Sequence, residues 1–268
     1  MANGGGAKPA TSARIYDYFL GGTHNFPADR DAAKGVAQRF PRTPALARNT
    51  RAFLRRAVRQ LAGSGVKQFL DIGSGIPTEG NVHEVVAETV PDARVVYVDI
   101  DPVAVSESLE ILEDDERTIA VWGDLRDPQA ILAHPQVRGL IEFDRPVGLL
   151  LNAVLHFVPD DDQAYGAVTH LLAALAPGSH LLVSHISIDG QNVDADDLQF
   201  VRNTYEQQTT TPFRTRTRGQ IERFMTGLDL LDPGLVWLTE WRPGPGDPMD
   251  FADDPSSSGV LAAVGRLR

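Results

Sequence analysis

The chain contains no cysteine, which excludes disulfides and thiolate-bound metals from both its stability and its chemistry. It has no uninterrupted apolar run of the roughly 18 residues that a membrane-spanning helix needs. Met1 to Ala10 carry glycines where a secretory signal would carry an apolar core, so a cytoplasmic location with no membrane partner is expected. No Gly-Lys-Ser or Gly-Lys-Thr occurs, which rules out the phosphate-cradling loop of nucleoside triphosphatases. Acids at metal-ligand spacing are missing too. Asp160-Asp161-Asp162 reads as the entrance of a helix, where acids oppose the dipole, and no metal is predicted.

Basic residues thin out after the first sixty positions. Residues 1–60 hold 11 Lys and Arg against 3 acids, while the remaining 208 hold 14 against 33, for a net charge of −11. An acidic body repels nucleic acid phosphates, so no DNA or RNA partner is expected. The basic N-terminal region could dock on that body. Alternatively, Arg48, Arg51, Arg55, Arg56 and Arg59 are the solvated face of an amphipathic helix. With 268 residues, 42% of them hydrophobic, the chain can bury one large core, as α/β domains of roughly 200–250 residues do.

The most informative stretch that is present is Phe69-Leu70-Asp71-Ile72-Gly73-Ser74-Gly75-Ile76-Pro77-Thr78. An apolar run ends in an acid and breaks into a small-residue loop, where glycines let the backbone turn sharply and lie against a ligand. A second apolar run, Arg94 to Val98, ends at Asp99, 24 residues after Gly75. That is close to the roughly 20-residue interval between a dinucleotide loop and its ribose-binding acid. A pyrophosphate is disfavoured, because the third-glycine position is Thr78 and the next residue is the acid Glu79. The loop suits a nucleoside ligand without phosphates, and a cationic amine on it would turn Asp71 and Glu79 into assets.

Strand and helix signals alternate along the chain. Leu46, Phe53, Leu54, Ala57, Val58 and Leu61 recur at helical spacing before the first strand. Asn81 with Glu84, and Thr217 with Gln220, read as capping boxes. Further strands are predicted at Val95 to Asp99, Ile119 to Trp122, Val147 to Asn152 and Leu181 to Ile186. Helices are predicted near Val103 to Leu112, Gln129 to Ala133 and Gln163 to Leu175. Leu235 to Thr239 and Val260 to Val264 would close the sheet as an antiparallel pair. Such alternation requires parallel strands with right-handed crossovers. The fold class predicted is therefore α/β: Rossmann-like and doubly wound, with a mostly parallel seven-stranded sheet, helices on both faces and an N-terminal helical lid. The segments expected are a flexible N-terminus at 1–12, a helical extension or lid at 13–64 and the ligand-binding domain at 65–268.

Phe69 to Gly75, Val98-Asp99-Ile100-Asp101-Pro102, Gly123-Asp124-Leu125 and Leu151 to Asp160 resemble the successive motifs of class I S-adenosylmethionine-dependent methyltransferases. More narrowly, Ser12 to Phe26, Ile76-Pro77-Thr78 with Asn81 to Val85, and Pro212 to Thr217 resemble one actinobacterial methyltransferase family, formerly catalogued as a domain of unknown function. The resemblance covers roughly 13 to 268. It implies S-adenosylmethionine as cofactor and S-adenosylhomocysteine as product, and its motifs are nearly silent about the acceptor, expected to be a small molecule. It assigns Asp99 to the ribose hydroxyls, Ile100 to an adenine face, Asp124 and the Leu125 amide to the adenine edge, and Asn152 with Ala153 to the methionyl part.

Residues that end strands converge on the ligand in such sheets, which brings in Asp71, Gly73, Ser74 and Gly75 as well. His156 belongs to the same class. It is a candidate base or acceptor contact, although methyl transfer can proceed by alignment and water exclusion alone. Arg14 to Phe26 gathers polar and aromatic groups beside Gly21-Gly22, as a lid would, so Tyr18, His24 and Asn25 are expected to reach the cofactor. The contrary reading is a packed N-terminal helix. Phe213 to Arg218 offers arginines to an anionic group on the acceptor, or else exposed strand charge. The function expected is methyl transfer to an oxygen or nitrogen of a small molecule. A catalytically silent cofactor-binding regulator or scaffold is the alternative.

Overall fold

The computed structural model describes residues 9–77, 80–112, 115–189 and 213–268. Residues 1–8, Thr78, Glu79 and Pro212, which carried expectations above, lie outside the described residues. Five parallel strands form the centre of the sheet: β1 (Gln68–Ile72), β2 (Arg94–Asp99), β3 (Thr118–Trp122), β4 (Gly148–Asn152) and β5 (His180–Ile186). Three antiparallel strands complete it: β6 (Leu228–Leu230), β7 (Val236–Trp237) and β8 (Val260–Leu267). The order is β3-β2-β1-β4-β5-β8-β6, with β7 also paired to β8. The doubly wound α/β class is borne out, with eight strands in place of seven. The addition is β6, a three-residue strand whose Asp229 and Leu230 are exposed, too short and too open to show a period of its own.

Both faces of the sheet are buried, which is why its central strands read as nearly continuous apolar runs. Leu70, Ile72, Val96, Val98, Leu149 and Leu151 face a core closed by α6 (Pro128–Ala133), α7 (Pro135–Leu140) and α8 (Asp161–Ala173). Phe69, Val95, Tyr97 and Leu150 face the other, closed by α3 (Thr43–Gly63) and α4 (Val82–Ala87). The capping box expected at Thr217 with Gln220 forms before α9 (Arg218–Glu222), and before α4 its reciprocal half forms, the Asn81 amide donating to Glu84 at 2.9 Å while the Asn81 side-chain oxygen has no partner.

Helix α3 sits on the sheet itself, through Phe53, Leu54, Ala57, Val58 and Leu61. Helices α1 (Ser12–Phe19) and α2 (Pro27–Arg39) build a small core of their own on Ala47 of α3, from Ile15, Phe19, Ala32, Ala33 and Val36. A buried ion-pair network fastens them to the body. Arg14 donates to Asp29 and to Asp101, both at 2.9 Å, and the Thr11 hydroxyl donates to the same Asp101 oxygen at 2.6 Å. The arginine row of α3 is an anchor more than a solvated face. Arg56 donates to the carbonyls of Trp241 and Leu238 and to Asp247, and Arg48 pairs with Asp250. Basic α3 is thereby docked on the acidic C-terminal loops.

Candidate functional site

Strand order reverses between β1 and β4, and an open α/β sheet leaves a crevice at such a point. Along the carboxyl ends of β2, β1, β4 and β5, roofed by α1 and α3, runs an elongated cavity of about 1200 Å³ including its open mouth. Four adjacent strands at about 4.8 Å spacing give it a span of about 14 Å.

The β2 end is set by Asp99. Its carboxylate is buried, and it accepts the Gly75 amide at 2.8 Å and the Asp101 amide at 2.8 Å. Each carboxylate oxygen keeps a further lone pair. Burial pushes the Asp99 carboxyl up to about 6 despite those backbone bonds. Gly75 adopts φ +65°, and a Cβ there would meet nothing within 4 Å, so glycine serves the backbone turn and leaves open space above the loop. Gly73, at φ +74°, is needed for contact as well, since its Cβ would lie 2.2 Å from Val154 Cγ2. Ser74 and the half-exposed Ile100 continue this wall.

The middle of the cavity holds a separated pair of charges. Asp71, at the end of β1, is buried, and burial pushes its carboxyl up to about 7, with nearby Arg51 lowering it and Asp99 raising it. Arg51 of α3 is buried in the opposite wall, its Nε has no hydrogen-bond partner, and its guanidinium lies 5.7 Å from the Tyr16 ring centroid. Arg51 acts on Asp71 through its charge and not through a hydrogen bond, so each retains capacity for a ligand. Asn152 and Ala153 at the end of β4 lie beside them. Ala153 is held at φ +56° while its amide reaches the Ser184 hydroxyl at 2.9 Å. The Asn152 amide oxygen accepts from the same hydroxyl at 2.6 Å.

Toward β5 the wall carries His156, which is buried with Nδ1 unpartnered. Burial first, then His185 and Arg216, hold its imidazole well below the usual range, hence neutral. Nine of the residues expected at the site from sequence thus share one cavity.

The others lie elsewhere. Asp124 is bound by Arg126 through its backbone amide and guanidinium at 2.6–2.9 Å, and Leu125 is packed in the core behind the sheet. His24 Nδ1 meets Glu107 at 2.5 Å, Asn25 donates to Asp17 at 2.8 Å, and Tyr18 packs against the α1–α2 core. From the N-terminal segment the cavity takes Ile15, Tyr16 and Phe19 instead. Arg216 is fully buried on Asp161, His185 and the carbonyls of Leu155 and Val158, and Arg214 is bound by Asp161 and Pro159. These arginines brace the turn after β4.

Arg51 was not singled out from the sequence as a site residue. The signal was its spacing: with Ala47, Leu54 and Val58 it falls on the apolar stripe of α3, where a charge calls for a reason.

Among the described residues no group of His, Asp and Glu is arranged to hold a metal ion, and no helix is long and apolar enough to cross a membrane. No match is found among curated proteins. The chain is similar to the crystal structure of a candidate methyltransferase from Thermobifida fusca YX: 38% identity, TM-score 0.86, covering 97% of this chain and 96% of that one. It is likewise similar to a DUF574 family protein from Streptomyces avermitilis MA-4680, with 37% identity, TM-score 0.89 and coverage of 97% and 98%. The family model described as S-adenosyl methyltransferase matches residues 6–268. With nearly its whole length matched and the glycine loop and strand-end acids in one crevice, the chain belongs to the S-adenosyl methyltransferase family, whose cofactor is S-adenosylmethionine.

Proposed function

We propose that this chain transfers the methyl group of S-adenosylmethionine to an oxygen or nitrogen of a small molecule bound at the β5 end of the cavity. The observation that carries this reading is the unpaired charge set in the middle of the crevice. Asp71 and Arg51 are both buried with no hydrogen bond between them, and a molecule bearing an ammonium and a carboxylate on one carbon would satisfy both. Asp99 would accept the two ribose hydroxyls on its remaining lone pairs, and Ile100 would cover an adenine face. Bound this way, S-adenosylmethionine would supply an electrophilic methyl on a sulfonium, the S–CH3 bond breaking as the bond to the acceptor forms, with S-adenosylhomocysteine as the other product and the acceptor's proton released to solvent.

The rest falls to the protein. Asn152 and Ala153, fixed by Ser184, would hold the methionyl part in register with β4. The roof of Ile15, Phe19, Leu46 and Leu54 excludes water from the path between donor and acceptor. Alignment of this kind is worth several kcal/mol of barrier, about 7–11 kcal/mol at its most effective, so transfer does not depend on a strong base.

Methyl-labelled S-adenosylmethionine tests the proposal. The full chain is incubated with the label and with panels of phenols, alcohols and amines, and label in a product with equal S-adenosylhomocysteine is the result expected. Tight cofactor binding with no transfer to any class would instead identify a binding protein that keeps the pocket as a sensor.

A further inference from the structure

Beyond Asn152 the cavity continues over β5, and its chemistry changes. The wall there is Val154, Phe157 and Ile186, with Ile15 and Phe19 above and His156 among them. The described polar side chains around this end, His156 apart, are already engaged. The Ser184 hydroxyl donates to Asn152 and accepts the Ala153 amide. His185 is closed between the Ile186 carbonyl at 2.7 Å and the Arg216 guanidinium at 2.9 Å. The Tyr16 hydroxyl donates to the Ala47 carbonyl at 3.1 Å. Arg214 and Arg216, in the segment that bridges to β5 next to this end, are bound by Asp161 and by main-chain carbonyls. Among the described residues of the cavity wall, Arg51 is the one Lys or Arg, and it stands at the methionyl position.

His156 is different. Its relative exposure is 4%, and its Nδ1 is shut off without a hydrogen-bond partner. The ring packs at 4.4 Å from Phe157 and 5.4 Å from Phe213, centroid to centroid. It is a neutral imidazole in an aromatic and aliphatic box. A carboxylate, phosphate or ammonium brought here would lose its hydration with no unpaired opposite charge to meet among the described residues, which costs several kcal/mol per ion. A hydroxyl on an apolar body would lose only one or two hydrogen bonds and regain one from the ring.

Resting on the cofactor assignment made above, we propose that the β5 half of the cavity is a site for an uncharged, largely apolar acceptor that presents a hydroxyl group to His156. This narrows the acceptor class from any small molecule to a neutral alcohol or phenol and gives His156 a defined contact. Amines that are protonated at neutral pH are excluded by the same desolvation argument.

The test uses the full chain saturated with S-adenosylhomocysteine and three probes sharing one ring system: 2-naphthol, 2-naphthoate and the 2-naphthylmethylammonium cation. Binding is read by saturation-transfer NMR. Naphthol is expected to bind at least tenfold more tightly than either ion. His156→Phe should lose at least tenfold in naphthol affinity, while His156→Gln, which keeps a hydrogen-bonding group, should stay within about threefold of the wild type. The proposal is overturned if either ion binds as well as naphthol, if His156→Phe leaves naphthol binding unchanged, or if naphthol does not bind. Calorimetry with S-adenosylhomocysteine separates the two levels. Normal product binding with failed naphthol binding removes the acceptor class alone, whereas absent product binding removes the cofactor reading beneath it.

Discussion

Replacing Asp71 with asparagine should make the free protein more stable and the complex weaker, two effects of opposite sign from one atom change. The Asp71 carboxyl rises from 3.8 to about 7 on folding, with burial as the main cause. A raised folded pKa adds stability that is fully present below the unfolded value and is lost as pH climbs from about 4 to about 7. Three units correspond to about 4 kcal/mol of disfavour for the ionised form. Asparagine removes that charge but leaves a buried amide short of partners, worth about 1–2 kcal/mol in the other direction. The net expectation at pH 8 is stabilisation of about 2 kcal/mol, or roughly 4–8 °C in Tm for a chain of this size. At pH 4 the gain should vanish. Scanning calorimetry of ligand-free wild type and Asp71→Asn at both pH values reads this term, and titration with S-adenosylhomocysteine reads the other. Losing a charged partner for the ammonium should weaken binding by about 1.5–3 kcal/mol, roughly 10- to 150-fold. A variant that melts lower at pH 8 yet binds product with wild-type affinity would refute the reasoning.

Further outcomes follow from the same geometry. S-adenosylhomocysteine affinity in the wild type should fall about tenfold per pH unit below pH 7, as Asp71 takes up its proton, and stay flat just above it; calorimetry across pH 5–8 checks this. Arg51→Gln should weaken S-adenosylhomocysteine binding by about 10- to 100-fold, while leaving the affinity for methylthioadenosine, which lacks the amino-acid part, nearly unchanged in competition assays. Gly73→Ala meets both φ +74° and Val154 at 2.2 Å, and urea denaturation should show a loss of about 2–4 kcal/mol. Arg14→Met leaves Asp29 and Asp101 buried without their shared cation, and a loss of about 3–5 kcal/mol is expected in the same assay.

Much of the fold could be read in advance because local and tertiary signals coincide in its central strands. Val95 to Val98 and Leu149 to Leu151 are buried on both faces, so burial wrote itself into the sequence as unbroken apolar runs. The glycine-loop end of the cavity was legible for a related reason: Gly73, Gly75 and Asp99 meet a backbone requirement and a strand-end position together. What escaped depends on partners far along the chain. Arg216 reads as exposed strand charge until Asp161 and the turn at 155–158 surround it. Tyr18, His24 and Asn25 have the chemistry of cofactor contacts, but helix phase turns Ile15, Tyr16 and Phe19 of α1 to the cavity, while His24 and Asn25, past the end of α1, meet Glu107 and Asp17. Helix α7, opening on Pro135, was hidden behind a residue that usually marks a boundary.

The claim on which the rest depends is that the crevice between β1 and β4 recognises an adenosyl amino acid through strand-end acids. Calorimetric titration of wild type and Asp99→Ala with S-adenosylhomocysteine tests it most directly. One site per chain in the wild type, weakened roughly 10- to 150-fold in the variant, is the result predicted. Absence of heat in the wild type, or equal affinity in the two proteins, would contradict it.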